Sequence, residues 1–232
     1  MPKIGRALKR AVELKPQEEP DGRSRKGPTS ALMNVNRRMI FQFLCQHPCS
    51  RVDSISSNTS LSRSSVTWHL GCLIDAGYVI MFLNNKKRTY CPSGLVPARN
   101  LRTYSILSEE ECMKMYQAVI RNPGIDQGLL RDYMDVPASI IARCVKDLLE
   151  IDLITRVMDG RHARFFPTEK YLSIMKDERA SCKEFIRSFM RRAADEHLNP
   201  ELKDLKGSNT VIEMQILGQK ERLEIPQRIL SP

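Results

Sequence analysis

The stretch Leu61–Ile80, LSRSSVTWHLGCLIDAGYVI, decides how the chain is to be read. On a helical wheel at about 100° per residue, Val66, Leu70, Leu73 and Ile74 share one side. Trp68, the only tryptophan, points almost directly away from them. Ser62 stands where an N-cap oxygen would satisfy a free N–H of the first turn. Gly77 stands where the lack of a Cβ tolerates the left-handed residue that ends a helix. The segment predicts a helix from about Arg63 to Gly77, followed by the strand YVIMFL.

Shifting the sequence by 75 residues lays Arg37–Ser93 onto Cys112–Thr168 without a gap. IFQFLCQHPC then overlies MYQAVIRNPG, so Gln42 meets Gln117 and Pro48 meets Pro123. Val66, Leu70, Leu73 and Ile74 meet Ile141, Val145, Leu148 and Leu149, and KKRTYCPS overlies RHARFFPT. Identities are few, but apolar positions and prolines keep register, the mark of two copies of one unit. Each copy reads as helix, short break, helix, turn, helix, two-stranded hairpin. In the first, Val35, Met39, Ile40, Phe43 and Leu44 form the apolar stripe of the opening helix. A short helix over 51–58 is held by Val52 and Ile55, and Asn84–Lys87 is the hairpin turn. In the second, Asp159-Gly160 signals the same turn.

Outside the repeat, residues 16–30 lack periodicity and read as a linker. Residues 169–198 predict one long helix with Leu172, Met175, Cys182, Ile186, Phe189 and Ala193 in a stripe interrupted by Arg179. That stripe fits a dimer contact or packing onto the second copy, and the dimer reading is preferred. Ile212, Met214 and Ile216 alternate with Glu213 and Gln215, so the tail predicts a β-hairpin with ERLEI. The fold class is mainly α with small β wings. The parts are a basic arm and linker (1–30), a first unit (31–105), a second unit (106–168), a C-terminal helix (169–200) and a tail (201–232).

Formal net charge is +10, distributed as +4, +7, −2 and +1 over residues 1–30, 31–105, 106–168 and 169–232. The basic character belongs to the arm and first unit, and it points to a polyanionic partner. Seven cysteines with no long apolar run and no signal segment predict a reducing cytoplasm and no membrane. CQHPC and HLGC lack the paired spacing of a structural zinc site, so no cofactor is expected. Cys45, Cys144 and Cys182 read as small apolar residues, and His69 as a packing residue. The four histidines are scattered, and no phosphate loop or nucleophile–base set appears, so no enzyme is expected.

Helix, helix, turn, helix, hairpin is the winged helix-turn-helix plan, in which the third helix enters the major groove. The polar start, the HL pair and AGYV of Leu61–Ile80 resemble arsenic-repressor-like and MarR-like regulators. RNPGIDQGLL and GRHARFFP resemble archaeal regulators with two such domains in tandem. The resemblance covers about residues 37–168. It implies a tandem winged-helix transcription regulator that reads double-stranded DNA as a homodimer, with an effector left unnamed. By this reading Ser62, Arg63, Ser64, Ser65, Thr67 and Trp68 face the groove, and Lys86, Lys87 and Arg88 form a cationic wing. Arg161 and Arg164 are its counterparts in the second unit. The second unit's third helix lacks the polar run and carries Arg143 where the first has Trp68. A protein-docking module of a transcription or replication assembly, with non-specific DNA affinity, is the alternative.

Overall fold

The computed structural model describes residues 30–204 and 209–226; the basic arm and part of the linker lie outside the described residues. The chain is mixed α/β, with eight α-helices and three small antiparallel sheets among those residues, consistent with small winged-helix-like units. The opening helix α1 (Val35–Gln46) is capped by Asn34, whose side chain accepts from the Arg37 N–H. Helices α2 (Val52–Thr59) and α3 (Arg63–Asp75) follow. Strands β1 (Val79–Asn84) and β2 (Lys87–Pro92) then pair across a turn at Asn85-Lys86, both with positive φ. That handedness matches the right-handed twist of a tight hairpin.

The same order recurs at the same 75-residue spacing. Helices α5 (Glu110–Arg121), α6 (Gln127–Tyr133) and α7 (Ala138–Glu150) lead into β4 (Ile154–Asp159) and β5 (His162–Pro167). Pairing recurs too. Val79 faces Pro92 as Ile154 faces Pro167. The bridge from Ser50 to Tyr90 corresponds to Ile125 on Phe165, where β3 (Ile125–Asp126) joins β5.

Helix α4 (Leu101–Leu107) joins the two units, and its residues Thr103–Leu107 are all buried. A boundary at 105/106 therefore falls inside a packed helix rather than in a linker. Glu109 ties the units together, since it accepts ion pairs from Arg51 at the start of α2 and from Arg143 of α7. Arg102 of α4 pairs with Glu150 of α7. The outward face of α7 is thus partly engaged by its own chain.

Helix α8 (Lys170–Asp195) buries Ile174, Glu178, Cys182, Phe185, Phe189 and Ala193. This stripe is rotated from the expected one, and Leu172 is exposed. The shift has a specific cause: Glu178 is buried and hydrogen-bonds the Tyr104 hydroxyl, so an acidic residue belongs to the packed face. The stripe packs within the chain, chiefly on the first unit. Phe189 stacks on Phe41 at 5.7 Å, and Asp177 accepts from Arg99 and Asn100. The expected dimer contact through this stripe is therefore filled intramolecularly.

The tail is a three-stranded sheet rather than a hairpin, because β6 (Glu201–Asp204) adds to β7 (Asn209–Ile216), which pairs β8 (Gln219–Pro226). Strand β8 lies on α1. Gln42 donates to the Glu224 carbonyl at 2.9 Å and accepts from its N–H at 2.8 Å, and Arg38 pairs with Glu221. Within α1, Phe41 is buried against the rings of Tyr78 and Phe189 and Cys45 is also buried, while Val35 and Met39 of the expected stripe are exposed.

Cys112 and Cys144 form a disulfide between α5 and α7. This departs from the reading of Cys144 as a free apolar residue. A separation of 32 residues gives no sequence signal, and only the fold brings the two Cα atoms to 5.1 Å. The other five cysteines are free.

Candidate nucleic-acid interface

Helix α3 is built from its cap outward. The Ser62 side chain accepts from the Ser65 N–H at 3.2 Å, fixing the start of the helix where polar residues crowd. At the far end Gly77 has φ +71, and the Tyr78 N–H returns to the Leu73 carbonyl, which closes the helix and launches β1. Val66, His69, Leu70 and Leu73 are buried beneath the helix; Ile74 is half-buried. Ser62, Arg63, Ser64, Thr67 and Trp68 are exposed on it, and Ser65 is half-buried.

Trp68 is 63 % exposed. A free tryptophan ring is unusual because its large apolar surface is normally covered. Its only ring neighbour among the described residues is His69, met edge-on at 4.9 Å. His69 is buried against α1, where its Nε2 meets the Asn36 amide at 3.3 Å. Burial, then the nearby Arg37 charge, lowers its pKa, so the ring is neutral at physiological pH. Asn36 and Arg37 thus set the surroundings of His69, the ring beside Trp68; only contact between α1 and α3 could identify them.

The polar groups on α3 are partly committed. The Thr67 hydroxyl donates to the Arg63 carbonyl at 2.8 Å, which leaves its methyl and oxygen lone pairs to the outside. Arg63 Nε pairs with Asp53 of α2 at 3.0 Å, and both side chains remain largely exposed. The guanidinium is thereby held by one edge, its terminal nitrogens still available to an acceptor.

Lys86, Lys87 and Arg88 sit exposed at the first hairpin tip, without ion-pair partners among the described residues. The second hairpin differs. Arg161 is exposed at its tip, but Arg164, half-exposed, is engaged within the unit, donating to Asp159 at 2.6 Å and to the Gly124 carbonyl at 3.2 Å. Of the two cations expected on this wing, Arg164 serves the unit itself. Among the described residues, no group of three or more His, Cys, Asp or Glu could hold a metal ion. No helix there is long and apolar enough to cross a membrane.

No protein-family model matches the chain, and no curated protein matches it. Among solved structures, ScpB from Mycobacterium tuberculosis is 14 % identical over 63 % of this chain and 97 % of that one, with a TM-score of 0.25. The DIP2311 protein from Corynebacterium diphtheriae is 12 % identical over 57 % of this chain and 26 % of that one, with a TM-score of 0.23. Likenesses at this level carry no argument about activity, so a functional reading rests on the exposed α3 face and its hairpin.

Proposed function

We propose that the chain is a sequence-specific double-stranded DNA-binding transcription regulator of the tandem winged helix-turn-helix kind. In this reading α3 enters the major groove and Lys86–Arg88 contact the neighbouring backbone. The observation that carries it is Trp68, uncovered on the outer face of a capped helix beside Ser64, Thr67 and Arg63. Hydroxyls and a guanidinium suit base edges and phosphates, while an indole and a threonine methyl suit the thymine methyl. The concentration of positive charge over residues 31–105 supports the same partner. An archaeal-type regulator working in the cytoplasm is part of this proposal.

A homodimer fits a pseudo-palindromic operator, and its contact would have to lie outside the filled α8 stripe. Leu129, Tyr133, Val157 and Met158 of the second unit are half or more exposed. The same residues favour the second reading, a protein-docking module with only non-specific DNA affinity.

Selection from a random-sequence duplex pool tests the regulator reading. An enriched motif, bound far more tightly than scrambled duplex, is expected. Micromolar binding without sequence preference overturns it in favour of the docking module. Light scattering of the purified chain reads the oligomeric state.

A further inference from the structure

The outer face of α8 has no role in the packing described above, yet its composition is one-sided. Lys176, Arg179, Lys183, Arg187 and Arg191 are all exposed. At 3.6 residues per turn they fall within an arc of about 120° and form a row of roughly 22 Å. Leu172, Ser173, Ala180, Met190 and Ala194 share that arc, and no acidic residue does. The acids of α8 lie elsewhere: Asp177 holds Arg99 and Asn100, Glu178 is buried, and Glu184 and Asp195 stand outside the arc. Among the described residues, four of the five cations have no ion-pair partner; Arg187 only approaches Glu184 at 3.9 Å. A solvated helix face ordinarily mixes both signs, because like charges at four-residue spacing repel. This face keeps the repulsion uncompensated.

We propose that this row is a second nucleic-acid contact, a backbone clamp that grips duplex phosphates independently of sequence. The inference rests on the DNA-binding reading and adds to it a site on an element outside the 75-residue repeat. Its charge density suits a duplex, in which each strand presents a phosphate about every 3.4 Å of axis, roughly six along the row. A lipid surface suits it less well. An interfacial helix must push its apolar face into the bilayer, and the apolar face of α8 is already buried against Phe41, Tyr104 and Tyr78. The same burial makes the row rigid, so little side-chain and backbone order is lost beyond the cations themselves.

The test is the salt dependence of binding to a short duplex of scrambled sequence. In the full chain, Arg179, Lys183, Arg187 and Arg191 are replaced by glutamine. The slope of log affinity against log salt is expected to fall by about 3, roughly a hundredfold weaker binding at 0.15 M salt. A milder pair, Arg179→Gln with Lys183→Gln, should lose about half as much slope, which guards against misfolding of the fourfold variant. Removing four cations elsewhere (Lys114, Lys146, Lys203 and Lys220, each paired with a carboxylate) should change the slope by less than about 1.

A slope unchanged in both α8 variants overturns the proposal. So does loss of binding to phosphatidylserine-containing vesicles while the duplex slope stays intact. A flat result in the random-sequence selection together with a reduced slope would remove the regulator reading and leave the clamp standing.

Discussion

Tyr78 donates its hydroxyl to Glu196 at 2.6 Å, so the residue that opens the first hairpin is fastened to the end of α8, 118 residues later. Arg192 completes the joint. Its guanidinium lies 3.7 Å from the Tyr78 ring centre, pairs with Glu196 at 3.0 Å and donates to the Ala76 carbonyl. The end of α3, the start of β1 and the end of α8 are thereby one rigid corner.

Opening that corner has a pH signature. Burial alone would raise the Glu196 carboxyl, but hydrogen bonds from Ser30, Tyr78 and Arg192, with the Arg192 charge, bring it below its ordinary value of 4.5. A carboxyl depressed by folding stabilises the fold fully above 4.5, and that contribution is lost as pH falls through its lowered value. Glu196→Gln is therefore expected to cost about 1–2 kcal/mol at neutral pH. The difference from the unsubstituted chain should shrink as pH falls below 4.5 and vanish only in acid below the lowered folded-state value. Tyr78→Phe should cost about 1 kcal/mol. Urea unfolding across pH measures both; a penalty for Glu196→Gln that is constant down to strong acid would contradict the assignment.

Trp68 touches too little of the fold to stabilise it. Trp68→Ala is expected to change unfolding free energy by no more than about 0.5 kcal/mol. On the DNA reading it should weaken binding to the selected motif by about 1–3 kcal/mol and barely affect scrambled duplex. Calorimetric melting and a paired titration check the two halves separately. Equal loss on both duplexes would assign the ring a structural role.

The two hairpins should answer differently to the loss of an arginine or lysine. Lys87→Ala is expected to lower the salt slope by about 0.9 with no change in stability. Arg164→Ala should leave the slope alone and cost about 1 kcal/mol, because its bonds are to Asp159 and Gly124. Exchanged behaviour would mean that the second hairpin, not the first, lies on the backbone.

Linking Cys112 to Cys144 across 32 residues restricts the unfolded chain by about 3–4 kcal/mol in the loop-entropy account. Cys112→Ser with Cys144→Ser should lower the melting temperature accordingly and abolish any response to reductant. If the unsubstituted chain melts identically with and without reductant, this bond does not contribute to its stability.

The repeat was legible to a degree unusual for so little identity. Bounds of α3, the caps at Ser62 and Gly77, and both hairpin turns fall where periodicity and turn chemistry place them. These are local signals, set by neighbours a few residues away. The failures are all tertiary. Nothing near Glu178 in the chain announces Tyr104 as its partner, so the apolar periodicity of α8 points partly away from the face that is buried. Docking of β8 depends on Gln42, 182 residues distant from its partner. Likewise Asn36 and Arg37, which seat the ring beside Trp68, become neighbours only when α1 crosses α3.

Gln42 has one more consequence. Strand β8 is an outer strand of its sheet, with backbone groups that could recruit an extended segment from another molecule. The Gln42 amide occupies the N–H and C=O of Glu224 as a neighbouring strand would, and α1 lies alongside. At Glu224 that flank is therefore closed to strand addition, and α1 takes the place an extended segment from another molecule would need.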